Sequence, residues 1–366
     1  MPAPIAPLSA PSPTTALQFV TAAGELTREG SAYGVDRDLA QALYVDMRRA
    51  RALDQEALAL QRQGELSLWL QCWGQEAAQV GSIRALREDD HVFPSYREHA
   101  AALCRGITPG ELLAQWRGTT HAGWVPDHRA FHFYTLVLGT QTLHATGYAM
   151  GCELAGGDEL TAVYFGDGAA SQGDVNEALN WAAARSVPVL FICQNNQWAI
   201  STPAGEQTGS PLHRRAAGFG LASWYVDGND VLAVHAITSA AAAFVRSGQG
   251  PAFVEADTFR MAGHSTSDDP GRYRAAGEVD VWEARDPIRR VATLLAALGV
   301  EPAWFDAVEE EAQAVAQETR AACRALPAPD LSGLFDQVFV DPHPVIQREK
   351  QAFDDHQRRL AEVSIR

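Results

Sequence analysis

Two short polar runs carry residue types that could do chemistry. Gly166-Asp167-Gly168-Ala169-Ala170-Ser171 follows an apolar run at 161–165, and Gln194-Asn195-Asn196-Gln197-Trp198 follows another at 187–193. A helical stretch, 173–185, lies between them. Strand, helix, strand is a βαβ unit. Its right-handed crossover brings Asp167 and Asn196 to the same end of a sheet, and open parallel sheets bind ligands beyond the carboxyl ends of their strands. One carboxylate, one amide oxygen and a nearby backbone carbonyl form part of an oxygen cage for a hard cation. Mg²⁺ takes about six oxygens and is usually shared between one or two carboxylates and phosphates. The stretch 168–171, read as opening a helix, offers free backbone N–H groups and a positive dipole end to those phosphates. Ser171 and Asp174 fit a capping box there. The plainer reading makes Gly-Asp-Gly a tight turn and Asn195-Asn196 a loop. Their occurrence at consecutive strand ends favours a site.

Two further clusters are candidates. Tyr96-Arg97-Glu98 is either a surface ion-pair cluster or a phosphate clamp, for which a bidentate guanidinium is suited. His264 lies in a loop of small, polar and charged residues with Ser265, Ser267, Asp268, Asp269 and Arg272. Long loops in compact domains are commonly functional. Arg260, His264 and Arg274 would there gain an anionic partner. The run 68–73, LWLQCW, could line a pocket but reads better as core. The run Glu309-Glu310-Glu311 reads as a solvated helix face.

The elements that must position these residues follow from periodicity. Leu39, Leu43, Met47, Ala50 and Leu53 step by three or four, which predicts a helix over 36–63. Shorter helices are expected at 75–86 and 109–116, and a long one at 304–326. The strand–helix pattern recurs: 223–226, a helix capped by Asp230 and running to 246, then 252–256. Asp286-Pro287 reads as an N-cap with Pro at the first helical position. Both central strands are apolar throughout, as expected where helices cover both faces of a parallel sheet. The fold class is therefore α/β, with a largely parallel sheet. The chain divides into a partly disordered N-terminal arm (1–35, Pro-, Ala-, Ser- and Thr-rich up to about 16), an α/β domain (36–290) and a helical C-terminal extension (291–366).

Composition bounds the partners. The chain has 366 residues, with 29 Lys+Arg against 45 Asp+Glu, a net charge of 29 − 45 = −16. Bulk electrostatics of that sign oppose nucleic-acid binding, so an anionic ligand must be held by local groups or a metal. Five cysteines without a C-x-x-C pair argue against a disulfide scaffold or zinc site. No secretory leader or membrane span is evident. The expectation is a cytoplasmic protein in a reducing compartment, with no membrane or nucleic-acid partner.

The run GDGAASQGDVNEALNWAAARSVPVLFICQNNQWAIS at 166–201, with GQEAAQVGS at 74–82, VFPSYREH at 92–99 and GHSTSDDPGRYR at 263–274, resembles the alpha subunits of the decarboxylating dehydrogenase component of 2-oxo acid dehydrogenase complexes. The resemblance covers about residues 36–345 and implies the thiamine-diphosphate-binding fold with helical extensions. It implies thiamine diphosphate and Mg²⁺ as cofactors. Asp167, the Asn196 side chain and the Trp198 carbonyl would be the metal ligands. Tyr96, Arg97, Leu136, Leu138, Gly166, Gly168, Ala169 and Ala170 would join Asp167, Asn196 and His264 around the cofactor, with His264 reaching the reacting centre as the catalytic residue. Relatives often place Ser at 136 and some carry Arg at 194. The implied reaction is oxidative decarboxylation of a 2-oxo acid with acyl transfer to a lipoyl arm. The implied partners are a beta subunit, in an assembly of two alpha and two beta chains, and an acyltransferase core with its lipoyl domain. The loop sequence leans toward a branched-chain 2-oxo acid. Pyruvate is the alternative and acetoin a further one. Rival readings are a self-contained thiamine enzyme, for which the length leaves no room for a second pyrimidine-binding domain, and a Mg²⁺–nucleotide module, which lacks its glycine-rich loop.

Overall fold

The computed structural model describes residues 15–120, 123–328 and 331–364. Most of the expected Pro-rich arm lies outside the described residues. Among the described residues seven strands occur: β1 (His91–Phe93), β2 (Thr161–Gly166), β3 (Val189–Asn195), β4 (Trp198–Ala199), β5 (Thr202–Pro203), β6 (Ala222–Asp227) and β7 (Ala252–Asp257). The helices are α1 (Arg28–Tyr33), α2 (Arg37–Arg62), α3 (Glu76–Arg84), α4 (His99–Cys104), α5 (Pro109–Arg117), α6 (Thr140–Ala155), α7 (Gly173–Arg185), α8 (Ala204–Gln207), α9 (Leu212–Gly218), α10 (Val231–Arg246), α11 (Glu278–Glu283), α12 (Pro287–Ala297), α13 (Pro302–Ala325) and α14 (Pro344–Ser364). Five strands form one sheet in the order β1-β2-β3-β7-β6, all parallel. β4 and β5 make a small antiparallel hairpin just past the end of β3.

Strand alternation explains the continuous apolar runs. Ala162, Tyr164, Leu190, Ile192, Val254 and Ala256 join the core under α2, α3 and α10. Val163, Phe165, Val189, Phe191, Cys193 and Phe253 join the core on the opposite face, with residues of α6, α7 and α9. The apolar runs of β2 and β3 are buried on both sides, so no polar face survives in them. Cys193 is inert core, its thiol pushed well up by burial.

Several expectations hold to within a few residues. β3 starts at Val189 rather than 187, because Pro188 has no N–H for the ladder. Asp230 caps α10 through Leu232 and Ala233 N–H, and its other oxygen accepts from Phe19 and Val20 N–H, both at 2.7 Å. Leu17 bridges Val226, so the N-terminal segment covers the β6 edge. Asp286 caps α12 with Pro287 at its start. α6 and β1 escape the periodicity reading. α6 carries Gly147, Gly151 and three threonines, all weak helix formers, and β1 is three residues long.

Two expectations are corrected. Ser171 does not cap a helix with Asp174: Ala169–Ser171 is a 3-10 turn and Gln172 takes the N-cap position without a side-chain bond. The stretch after Gly168 therefore does not open α7 directly. Glu309 and Glu311 are not simply solvated, since α13 lies along α2 and they pair with Arg48 and Arg49. No helix among the described residues is long and apolar enough to cross a membrane.

Candidate active site

Asp167 and Asn196 are the first residues beyond the ends of β2 and β3. β3 sends Cys193 toward α7 and α9, so the opposite parity, Gln194 and Asn196, points toward α3. There Gln79 donates to the Gln194 side chain at 3.1 Å, and the Asn196 amide nitrogen meets Gln75 Oε1 at 3.2 Å. The Asn196 backbone N–H donates to Asp167 Oδ1 at 3.1 Å. Gly168 must lack a side chain, because a Cβ would come 2.7 Å from that of Ala199. These residues wall a cavity of about 250 Å³. Its other sides are formed by Ser95–Glu98, Leu138, the β4 hairpin, Arg260 and His264.

The charges in this cavity are poorly satisfied by the protein. Asp167 is 4% exposed and has no ion-pair partner among the described residues. Burial pushes its pKa up to about 6, against the opposing pull of the Asn196 N–H. Asn196 Oδ1 faces the Trp198 carbonyl at 3.1 Å and Asp167 Oδ1 at 3.3 Å. Its donor is the Trp198 N–H at 3.3 Å. Turned over, the amide presents its nitrogen as a donor to both of those oxygens.

Two buried guanidiniums stand opposite. Arg97 donates to the carbonyls of Gln71 (2.6 Å) and His264 (2.8 Å). Arg260 donates to the Ile200 carbonyl and the Tyr273 hydroxyl at 2.7 and 2.8 Å, and to the Trp198 carbonyl at 3.3 Å. Its Nε is buried without a partner. Burial, reinforced by Arg97, lowers its pKa to about 10. Neither arginine pairs with a carboxylate among the described residues. A buried cation facing only carbonyls and a hydroxyl is the complement of an anionic ligand. Glu98 also lines the cavity. Its Oε1 accepts from Gln194 at 2.5 Å, and burial raises its pKa.

His264 reaches the cavity from the loop after β7, with Tyr96 edge-on at 6.1 Å between ring centroids. Burial, then Arg97 and Arg260, pulls its pKa down to about 4. It is a neutral imidazole at pH ~7, able to accept a proton. Its backbone N–H donates to Asp268 at 2.6 Å.

The cavity thus gathers Tyr96, Arg97, Leu138, Gly166, Asp167, Gly168, Ala169, Asn196, Trp198 and His264 as the sequence suggested. Leu136 does not line it and is 56% exposed, and Ala170 is turned into the core, its carbonyl accepting from Arg215. Arg274 is also corrected. It does not line the cavity, and it donates to the carbonyls of Arg260, Met261 and Ala262, which ties down the loop. In the run 68–73, Trp69 is core, stacked on His99, while Trp73 lines a second cavity of about 440 Å³ beside the loop. Gln75, Gln172 and Ile200 are lining residues the sequence did not single out. Ile200 sits at φ 54, a backbone state no motif announces for a β-branched residue.

The sequence pattern of the dehydrogenase E1 component family matches residues 44–328. The chain is 45% identical over 314 residues to the 3-methyl-2-oxobutanoate dehydrogenase subunit alpha of Mycobacterium tuberculosis, covering 84% of this chain and 85% of that one. It is 34% identical over 329 residues to the mitochondrial 2-oxoisovalerate dehydrogenase subunit alpha of Dictyostelium discoideum (85% and 74% covered). It is 34% identical over 304 residues to the pyruvate dehydrogenase E1 component subunit alpha of Bacillus cereus (82% and 81% covered).

Proposed function

The chain belongs to the dehydrogenase E1 component family, and we propose that it is the alpha subunit of a branched-chain 2-oxo acid dehydrogenase, acting on 3-methyl-2-oxobutanoate. The family is thiamine-diphosphate-dependent, and an alpha subunit implies a beta subunit. The substrate reading rests on 45% identity to a 3-methyl-2-oxobutanoate enzyme against 34% to a pyruvate enzyme.

One observation carries the cofactor reading: the cavity sets two guanidiniums without a carboxylate partner opposite the buried, unpaired carboxylate of Asp167. Asp167, Asn196 and the Trp198 carbonyl would hold Mg²⁺, whose remaining positions suit phosphate oxygens and water. Arg97 and Arg260 would hold the diphosphate. When bound, thiamine diphosphate supplies the nucleophilic carbon and the electron sink for decarboxylation.

The chain's own residues then divide the work. Leu138 offers apolar bulk to the cofactor's body. His264, neutral and anchored through Asp268, can take or return a proton at its ring nitrogen. The two acids lining the cavity are already engaged: Asp167 faces the cation position, and Glu98 is bound by Gln194 and the Arg97 N–H. A further carboxylate for proton transfer is assigned to the beta subunit, and acyl transfer to a lipoyl arm on an acyltransferase core. Two alpha and two beta chains are the expected assembly.

The test reconstitutes the chain with a matched beta subunit, thiamine diphosphate and Mg²⁺, and assays 3-methyl-2-oxobutanoate, pyruvate and acetoin with an artificial electron acceptor. The highest kcat/KM should fall on the branched-chain acid, and the alpha chain alone should not turn over. A preference for pyruvate or acetoin would overturn the substrate. Turnover by the alpha chain alone would overturn the two-chain site.

A further inference from the structure

The turn that carries Asn196 and Trp198 is not held by its own strand. Gln197 and Ile200 both have positive φ, 74° and 54°, an unfavourable state for residues with a Cβ. Something must hold this backbone for the Asn196 and Trp198 oxygens to converge with Asp167. β7 supplies it. β3 and β7 pair with Asn195 opposite Asp257 and Cys193 opposite Glu255. Glu255 and Asp257 therefore share the sheet face of Asn195, the face covered by α9.

Both carboxylates reach the turn. Asn195 Nδ2 donates to Glu255 Oε1 at 2.8 Å, and Asn195 Oδ1 accepts from the Gln197 N–H at 3.3 Å. Gln197 Nε2 donates to Asp257 Oδ1 at 2.8 Å and to the Asn195 carbonyl at 3.1 Å. The residues on either side of Asn196 are each fastened to one carboxylate. Glu255 is itself locked. Its other oxygen accepts from the backbone N–H and Nδ1 of His213, at 2.7 and 2.6 Å. The His213 ring stacks on Tyr225 at 4.6 Å. Glu255 and His213 are each 2% exposed. A carboxylate suits this place because both oxygens accept, whereas an amide would present its NH₂ to a donor on one side.

We propose that Glu255 and Asp257 are positioning residues that splint the Asn195–Trp198 turn, and so set the affinity of the site for its divalent cation. The proposal rests on the cofactor reading above and extends it to residues that touch neither the cation nor the cofactor. Neighbours that orient metal ligands commonly change metal affinity by about 10–100-fold when lost.

The test uses Mn²⁺ as the probe, with thiamine diphosphate and the assembled alpha–beta complex. Free Mn²⁺ is measured by electron paramagnetic resonance well below the melting temperature. Glu255→Gln should weaken Mn²⁺ binding about tenfold. Because Glu255 acts through Asn195, Asn195→Ala should cost a similar factor, and the double variant little more than either alone. Independent factors that multiply in the double variant, or a Glu255→Gln complex with wild-type affinity, would overturn the proposal. A merely structural role would lower the melting temperature without moving Mn²⁺ affinity, and that result also counts against it. If Glu255→Gln fails to assemble, Asp257→Asn with Gln197→Ala runs the same cycle on the other carboxylate. A wild-type complex that takes up no Mn²⁺ would instead overturn the cofactor reading, and this proposal with it.

Discussion

Arg97 Nη2 donates to the backbone carbonyl of His264 at 2.8 Å, across 167 positions of sequence. The guanidinium thus ties the segment entering α4 to the loop that carries the candidate catalytic histidine. Its second nitrogen holds the Gln71 carbonyl at 2.6 Å, so one planar fork spans two backbone segments beside the cavity. A lysine would keep the charge but not the fork. Arg97→Lys should weaken thiamine diphosphate binding to the assembled complex by roughly tenfold or more. It should also expose the segment 261–275 to proteolysis. Titration calorimetry and a digestion time course check the two effects. Wild-type values for both would remove Arg97 from this role.

Asp167 is expected to trade stability for function. Its buried carboxylate sits near pKa 6 because desolvation outweighs its hydrogen bonds. An ionised group in that position destabilises the cofactor-free protein by up to about 3 kcal/mol, at 1.36 kcal/mol per pKa unit. Asp167→Asn keeps the shape and removes the charge. The variant complex should melt a few degrees higher than wild type when both lack cofactor, and should lose the stabilisation that thiamine diphosphate with Mg²⁺ gives wild type. Scanning calorimetry with and without ligands reads both. A variant still stabilised by the ligands to the wild-type extent would rule out Asp167 as a cation ligand.

His99 makes the fold sensitive to acid. Its Nδ1 lies 2.8 Å from the Tyr134 hydroxyl and its Nε2 lies 2.9 Å from the Leu70 carbonyl. A neutral ring that donates from Nε2 and accepts at Nδ1 satisfies both. Burial pulls its pKa from 6.5 down to about 3. Below about pH 6.5 the unfolded chain takes a proton that the folded chain refuses, so stability falls as pH drops through that window. His99→Gln removes the titration. Its melting temperature should start lower at about pH 7.5, from the lost stacking on Trp69, but fall less steeply than wild type toward about pH 5. Parallel curves for the two proteins would assign the acid loss to other groups, such as His132, which burial lowers to about 4.

Local rules account for what could be read early. The helix stripe from Leu39 to Leu53, the all-apolar runs of β2 and β3 and the polar residues at their ends follow from period, burial and the hand of a parallel crossover. These are properties of a short stretch of chain. They place Asp167 and Asn196 at adjacent strand ends, and the motifs shared with the family add Arg97 and His264. The Ser171 cap does not form because a 3-10 turn takes its place locally, and Leu136 lies outside the cavity on an exposed stretch.

The composition, the α/β class, the two strand ends and the family are determined by the sequence itself, since each depends on neighbours within a few turns of the chain or on a matched motif. Tertiary structure alone decides what surrounds those ends. Gln75 meets Asn196 because α3 starts beside β3. Arg260 faces carbonyls because the β4 hairpin folds under it. Glu255 and Asp257 reach Asn195 and Gln197 only through the register of β3 on β7, strands separated by about sixty residues and by β4, β5, α8, α9, β6 and α10. A slip of one residue in that register would turn both carboxylates to the opposite face, and nothing in the local sequence of either strand records which register holds.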